Sequence, residues 1–152
     1  MFKLRDVEGN IDFSLEVIGY QFPDSKKDDW CLLKVKIDQG DDRCELIDPA
    51  METTELIQLL HWFSSLAEGR LPRYSCLTFT EPCLSFDFLA FNDGVVRIAI
   101  NLSHELKPPF KIEQFRAKSE DWNIVIELHA NDFASIRGGI KLALEKYPVR
   151  GS

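Results

Sequence analysis

The sequence predicts an α+β fold: a mostly antiparallel β-sheet of about eight strands with two α-helices packed on it. Three observations predict it. Apolar and polar residues alternate with period two over most of the chain, the signature of strands with one buried face. That period gives way to helical spacing twice, once near the middle and once at the end. Each helical stretch follows a run of strand-like segments joined by short polar turns. The chain has 152 residues, 45% of them hydrophobic, which suits a single domain over 1–152 with one core. Its 11 phenylalanines suit half-buried sheet faces.

The first strand covers residues 2–7 and turns at Glu8-Gly9-Asn10. In the second, Ile11, Phe13, Leu15 and Val17 alternate with Asp12, Ser14 and Glu16. One buried and one wet face is the antiparallel pattern. Residues 22–29 form a polar loop broken by Pro23. A third strand runs from Trp30 to Ile37, and Gln39-Gly40-Asp41-Asp42 turns it into a fourth at Cys44-Glu45-Leu46-Ile47. The first third is therefore a four-strand meander.

Leu56, Leu59, Leu60, Phe63 and Ala67 then follow i, i+3, i+4 spacing. Thr53 is the expected N-cap, Glu55 suits the positive end of the helix dipole, and Gly69 and Pro72 end the helix. Trp62 lies off the centre of the apolar stripe and is expected to be only partly covered.

A second strand block follows. Leu77 and Phe79 alternate with threonines, and Leu84, Phe86 and Phe88 with Ser85 and Asp87. Asn92-Asp93-Gly94 is the clearest tight turn and feeds Val96, Ile98 and Ile100. Residues 103–121 are irregular and broken by Pro108-Pro109, with a short strand expected at 112–115. Trp122, Ile124, Ile126 and Leu128 make the last strand. Asn131 is the expected cap of the final helix, whose stripe is Phe133, Ile136, Ile140, Leu144 and Tyr147. Pro148 stops it. Gly138-Gly139 inside it implies either close approach of a strand or a local bend.

The charge is unbalanced: 25 acidic against 18 basic side chains, a net of -7. The acids gather in turns, with Asp24, Asp28 and Asp29 in one and Asp41 and Asp42 in the next. Such a surplus repels phosphate backbones and speeds association with basic partners, though it also serves plain solubility. No nucleic-acid partner is expected. Lys26-Lys27 and the basic residues of 107–118 are interspersed with acids or prolines. No apolar run approaches the roughly 18 residues of a membrane helix, and no apolar signal region follows Met1. Neither a membrane partner nor export is expected, which places the protein in the cytoplasm.

Catalytic and metal chemistry find no foothold. His61, His104 and His129 share no ligand spacing with one another or with a cysteine. Cys31, Cys44, Cys76 and Cys83 lie in apolar runs without a C-x-x-C pair, so reduced, buried thiols with raised pKa are expected. An even count leaves two disulfides formally open. There is no G-x-S-x-G and no phosphate-binding glycine loop. Asp28-Asp29, Asp41-Asp42 and Glu81 could do acid–base work only if burial split their pKa values, and adjacent acids in turns are usually solvated. No catalytic residue, metal or cofactor is therefore assigned.

Aromatics beside the acidic turns are a better lead. Trp30 adjoins Asp28-Asp29, Tyr20 and Phe22 flank the same loop, and Trp122 follows Glu120-Asp121. Protein interfaces favour aromatic anchors ringed by polar groups. Both tryptophans also start strands, and the plainer, favoured reading points them into the core. The candidate partner-binding set is Asp24, Asp28, Asp29, Trp30, Asp41 and Asp42.

An ordered set of residues resembles a bacterial family, the WapI-type immunity proteins. It comprises Asp29-Trp30 with Leu32 and Val35, Asp48-Pro49, and Thr54-Glu55-Leu56 with Leu59, Trp62 and Leu66. Phe79-Thr80-Glu81-Pro82 with Leu84 and Phe86, and Tyr147-Pro148-Val149-Arg150, complete it. The resemblance implies a non-enzymatic protein that binds and neutralises the toxin domain of a polymorphic toxin. Many such toxins are nucleases with a basic cleft, which an acidic partner would meet rapidly and cover. The competing classes are a small-ligand-binding or carboxylate-dependent enzyme domain around Glu81 or an Asp pair, and a structural assembly component.

Overall fold

The computed structural model describes residues 1–113 and 122–151. Strands β1 (Phe2–Arg5), β2 (Ile11–Tyr20), β3 (Trp30–Gln39) and β4 (Asp42–Glu52) form one sheet in that order. Helix α1 (Thr53–Ala67) follows. Strands β5 (Cys76–Leu77), β6 (Leu84–Asn92), β7 (Val95–Leu102) and β8 (Trp122–Leu128) form a second sheet, again in chain order, and α2 (Ala130–Lys146) follows it. Every pairing is antiparallel. The predicted fold class holds, with the strands divided between two meanders that each end in a helix.

The alternation read from the sequence sets the register. Leu15 lies opposite Phe2 on one side and Val35 on the other, and Phe13 lies opposite Leu4 and Ile37. All six side chains are buried. Register shifts between Val17 and Gly19 and between Cys31 and Leu33 fall at the same end of the first sheet, next to the loop at 21–29. Such irregularities bend a strand and re-aim its side chains. At the other end of the second sheet, Asp93 (φ 50°) and Gly94 (φ 78°) make the tight turn, where two successive positive φ angles favour this pair of residues.

Both sheets and both helices contribute to one continuous core. Phe63 of α1 is its centre, with its ring 5.8 Å from Phe2 of β1 and 5.7 Å from Phe86 of β6. Three hydrogen-bonded junctions complete the join. The Val7 amide donates to the Val125 carbonyl at 3.1 Å, linking the turn after β1 to β8. On the far side, the Glu55 carboxylate accepts the Thr80 amide at 2.8 Å. Gln39, buried at the end of β3, donates to the Lys111 carbonyl and accepts from the Glu113 amide, both at 2.8 Å.

Several expectations are corrected. Glu52, not Thr53, caps α1, and its amide donates to the Glu55 carboxylate at 3.0 Å. Thr53 is the first helical residue and instead donates to the Asp29 carbonyl. His129, not Asn131, caps α2, with its amide on the Asp132 carboxylate at 2.8 Å. In both helices an acid three residues in outcompetes the hydroxyl or amide read as the cap. Trp62 is buried rather than partly covered, because its indole N–H reaches the Tyr74 carbonyl and residues 73–77 lie over it. β5 stops at Leu77, and Phe79 is buried beyond it without joining a ladder. Of the strand expected at 112–115, residues 112 and 113 are irregular and the rest lie outside the described residues.

The glycine pair in α2 resolves as a close approach. A Cβ on Gly139 would lie 1.9 Å from the Met1 carbonyl oxygen, whereas Gly138 faces open space. Gly138→Ala should therefore stabilise the protein by up to about 1 kcal/mol, and Gly139→Ala should lower its melting temperature. Removing the ring that joins the sheets, in Phe63→Ala, should cost about 3–5 kcal/mol in denaturant unfolding. A loss near 1 kcal/mol would mean that the sheets hold together without it.

Candidate functional site

The loop at 21–29 is built by its own polar side chains. Ser25 Oγ accepts the amides of Lys27 and Asp28, at 3.3 and 3.1 Å. The Asp28 carboxylate accepts the Trp30 amide at 2.9 Å. The Asp29 carbonyl accepts the Thr53 amide at 3.1 Å, tying the loop to the start of α1. Trp30 is half-buried at the head of β3.

The segment after α2 closes this loop from the other side. The Arg150 guanidinium donates to the carbonyls of Phe22, Pro23 and Ser25 and lies 3.4 Å from the centre of the Tyr20 ring. Its backbone amide donates to the Asp29 carboxylate. Tyr20 donates to the Pro148 carbonyl at 2.5 Å, and its ring meets that of Tyr147 edge-on at 5.4 Å. Asp28 and Asp29 thus hold backbone as well as charge. Asp24 is exposed and makes no side-chain hydrogen bond or ion pair among the described residues.

Asp41 and Asp42 do not join this group. They sit in the β3–β4 turn at the opposite end of β3, roughly 30 Å from Trp30 at the usual rise per residue. The open face between the two ends is electrically matched. Arg5 pairs with Asp12, Lys34 with Glu16 and Glu45, Lys36 with Glu45, and Arg43 with Asp38. Exposed pairs contribute little to stability, but they leave the acidic surplus at the ends of the sheet rather than on its face.

A further acidic group was not legible from spacing. Asp48 on β4 and Glu105 after β7 lie close to Cys83, whose thiol donates to Asp48 at 3.7 Å, and the charge of Glu81, before β6, also reaches Asp48. Ligand atoms of Asp48, Cys83 and Glu105 lie within 4.8 Å of one another. Burial raises the Asp48 pKa, and Glu105 and Glu81 raise it further. Burial and then Asp48 push the Cys83 thiol up to about 12. A thiol held protonated against carboxylates is a hydrogen-bonded junction rather than a ready metal ligand. Glu52 is also raised, by burial and then by Glu55, Asp29 and Asp28. It lies four residues beyond Asp48 on β4, roughly 13 Å on, so acid continues along this edge to the 21–29 loop.

No cysteine is an activated nucleophile. All four are free thiols with pKa values raised from normal. The expectation that all are buried fails at Cys76, which is exposed because β5 is a two-residue edge strand, and at Cys44, which is half-buried. Cys76 lies opposite Asp87, whose hydrogen bond is the largest influence holding its thiol near a pKa of about 11. Despite its exposure, Cys76 should react with iodoacetamide at pH 8 about 100-fold more slowly than free cysteine. Asp87→Asn should restore much of the rate. A time course by mass spectrometry checks both, and equal rates in the two proteins would remove Asp87 from the explanation.

Among the described residues no helix is long and apolar enough to cross a membrane. No curated protein and no solved structure matches the chain. A family model described as immunity protein WapI-like matches residues 3–148. Several of the residues that carry the resemblance lie at the junctions just described, Asp29 with Arg150, Glu55 with Thr80, and Asp48 against Cys83, and many of the others are in the core. With that match extending over nearly its whole length, the chain belongs to the WapI-like immunity protein family.

Proposed function

We propose that this protein is a non-enzymatic inhibitor that binds and neutralises the toxin domain of a bacterial polymorphic toxin in the cytoplasm. Membership of an immunity family supports the inhibitor class. The observation that carries the docking surface is the distribution of acids that have no ion-pair partner among the described residues. The face of the first sheet is neutralised by ion pairs, while Asp24, Asp28, Asp29 and Glu52 gather at one end, among Lys26, Lys27 and Arg150, and Asp41 and Asp42 stand at the other. A nuclease with a basic cleft is the complementary partner, and nucleic acid and membranes are not. The clasp of Arg150 on the loop supports a surface set before the partner arrives, which lowers the ordering cost of binding.

A carboxylate-dependent enzyme is the second reading, favoured by one observation: Asp48 with a raised pKa beside Glu81 and Glu105. The two readings separate by mutation. Asp48→Asn would abolish an acid–base activity but leave toxin binding intact if the acidic ends do the docking.

Co-expression with the toxin domain encoded immediately upstream should rescue growth and yield a complex at micromolar concentration. Failure of both would sink the proposal. Asp24→Lys, and separately Asp41→Lys with Asp42→Lys, change charge without removing a backbone partner. At low salt at least one of the two sets should slow association by about tenfold or more, and the end it occupies is the docking end. If neither set changes the rate, acidic steering is wrong even where binding survives.

A further inference from the structure

We propose that the groove between the outer face of α1 and residues 73–77 is a second docking point, which receives an apolar side chain flanked by a carboxylate from the protein partner. The inference rests on the reading above that the partner is a protein, and it concerns a surface separate from the acidic ends. Gln58, His61, Trp62 and Ser65 form one wall at helical i, i+3, i+4, i+7 spacing, and Arg73, Tyr74 and Leu77 form the other. The groove encloses about 280 Å³. That falls just short of the range of about 300–1,000 Å³ typical of small-molecule pockets, and suits one large side chain.

The walls are set before anything enters. Helix α1 ends in two hydrogen bonds that turn the chain back, Gly69 amide to Leu66 carbonyl at 3.0 Å and Arg70 amide to Ser65 carbonyl at 2.9 Å. The Trp62 indole then donates to the Tyr74 carbonyl at 2.9 Å and fixes the opposite wall. Trp62 and Leu77 supply a buried apolar floor, while Tyr74 is 57% exposed and Leu71, just outside, is 71% exposed. A preformed pocket with an aromatic rim is where partner side chains contribute most to binding.

Charge decides the occupant. The Arg73 guanidinium lies 5.3 Å from the centre of the Tyr74 ring and has no ion pair among the described residues. Neighbouring Arg70 is already paired with Glu68. A free guanidinium fork at the mouth of an apolar slot matches a carboxylate beside an apolar side chain, and repels a lysine there. On a chain of net charge -7, this local sign is opposite to that of the acidic loops. A partner that meets both must carry a basic region and an acidic-apolar segment, which fixes its orientation as well as its affinity.

The test uses the whole protein labelled with 5-fluorotryptophan, whose three tryptophans give separate ¹⁹F signals, Trp62 being assigned with Trp62→Phe. A blocked peptide with the core Asp-Phe-Asp should shift the Trp62 signal saturably at about millimolar concentration, and one with Lys-Phe-Lys should bind at least about tenfold more weakly. Arg73→Glu should reverse that preference. With the upstream-encoded toxin domain, Arg73→Glu and Tyr74→Ala should each weaken binding by about tenfold or more, mainly through faster dissociation. Tyr74→Ala leaves the carbonyl that Trp62 bonds, so the wall survives. No shift with the acidic peptide, an equal shift with the basic one, or unchanged toxin affinity in both variants overturns the proposal. A dimer of this chain that Tyr74→Ala dissolves would overturn it too, by giving the groove to a second copy. If wild-type protein binds no toxin, the immunity reading fails while the peptides still decide the groove.

Discussion

One aromatic ring carries the architecture. Phe63 touches Phe2 at the start of the first sheet and Phe86 in the second, and Trp62 lies 5.2 Å from Phe63 and 5.9 Å from Phe86. Among the described residues neither meander pairs with the other by a regular ladder. Packing on a shared helix, not strand pairing, makes one core of two sheets. The remaining joins are single polar contacts at the seams, and each is buried and satisfied. Glu55 bridges the Glu52 and Thr80 amides, and Gln39 bonds two backbone groups. A buried polar side chain left without partners costs more than its bonds contribute, so these residues fix geometry more than they add stability.

Much of the fold was legible because it rests on period. Ile11, Phe13, Leu15 and Val17 reach the core as their alternation requires, and Leu56, Leu59 and Phe63 do so as theirs requires. What escaped was set by contacts distant in sequence. Trp62 lies off the centre of the apolar stripe of its own helix and is buried between Phe86 and the segment 73–77 that folds over it. Glu55 was legible as a dipole partner but not as the acceptor for Thr80, 25 residues on. The irregular strands at Gly19 and Leu33 obey no alternation that a single segment reveals.

The candidate site was legible only in part, for a geometric reason. Successive turns of a meander lie at opposite ends of the strand between them. Two acidic turns that look adjacent in sequence, at Asp28-Asp29 and Asp41-Asp42, are thus the most separated parts of the first sheet. The acids that do converge with one another, Asp48, Glu81 and Glu105, come from three distant segments. The family likeness also drew on residues that join elements, such as Asp29, Glu55 and Arg150, so it speaks to kinship and architecture more than to the surface a partner meets.

The clasp on the 21–29 loop has a consequence for the order of assembly. Tyr20 and Pro148 are 128 residues apart, as are Phe22 and Arg150, and Asp29 and Arg150 are 121 apart. Closing so long a loop is entropically unfavourable until the core has brought its ends together. Translation also delivers Arg150 after every residue it grips. The 21–29 loop therefore takes its final form only after Pro148 and Arg150 have been synthesised and the core has closed, and a half-folded chain presents a different surface.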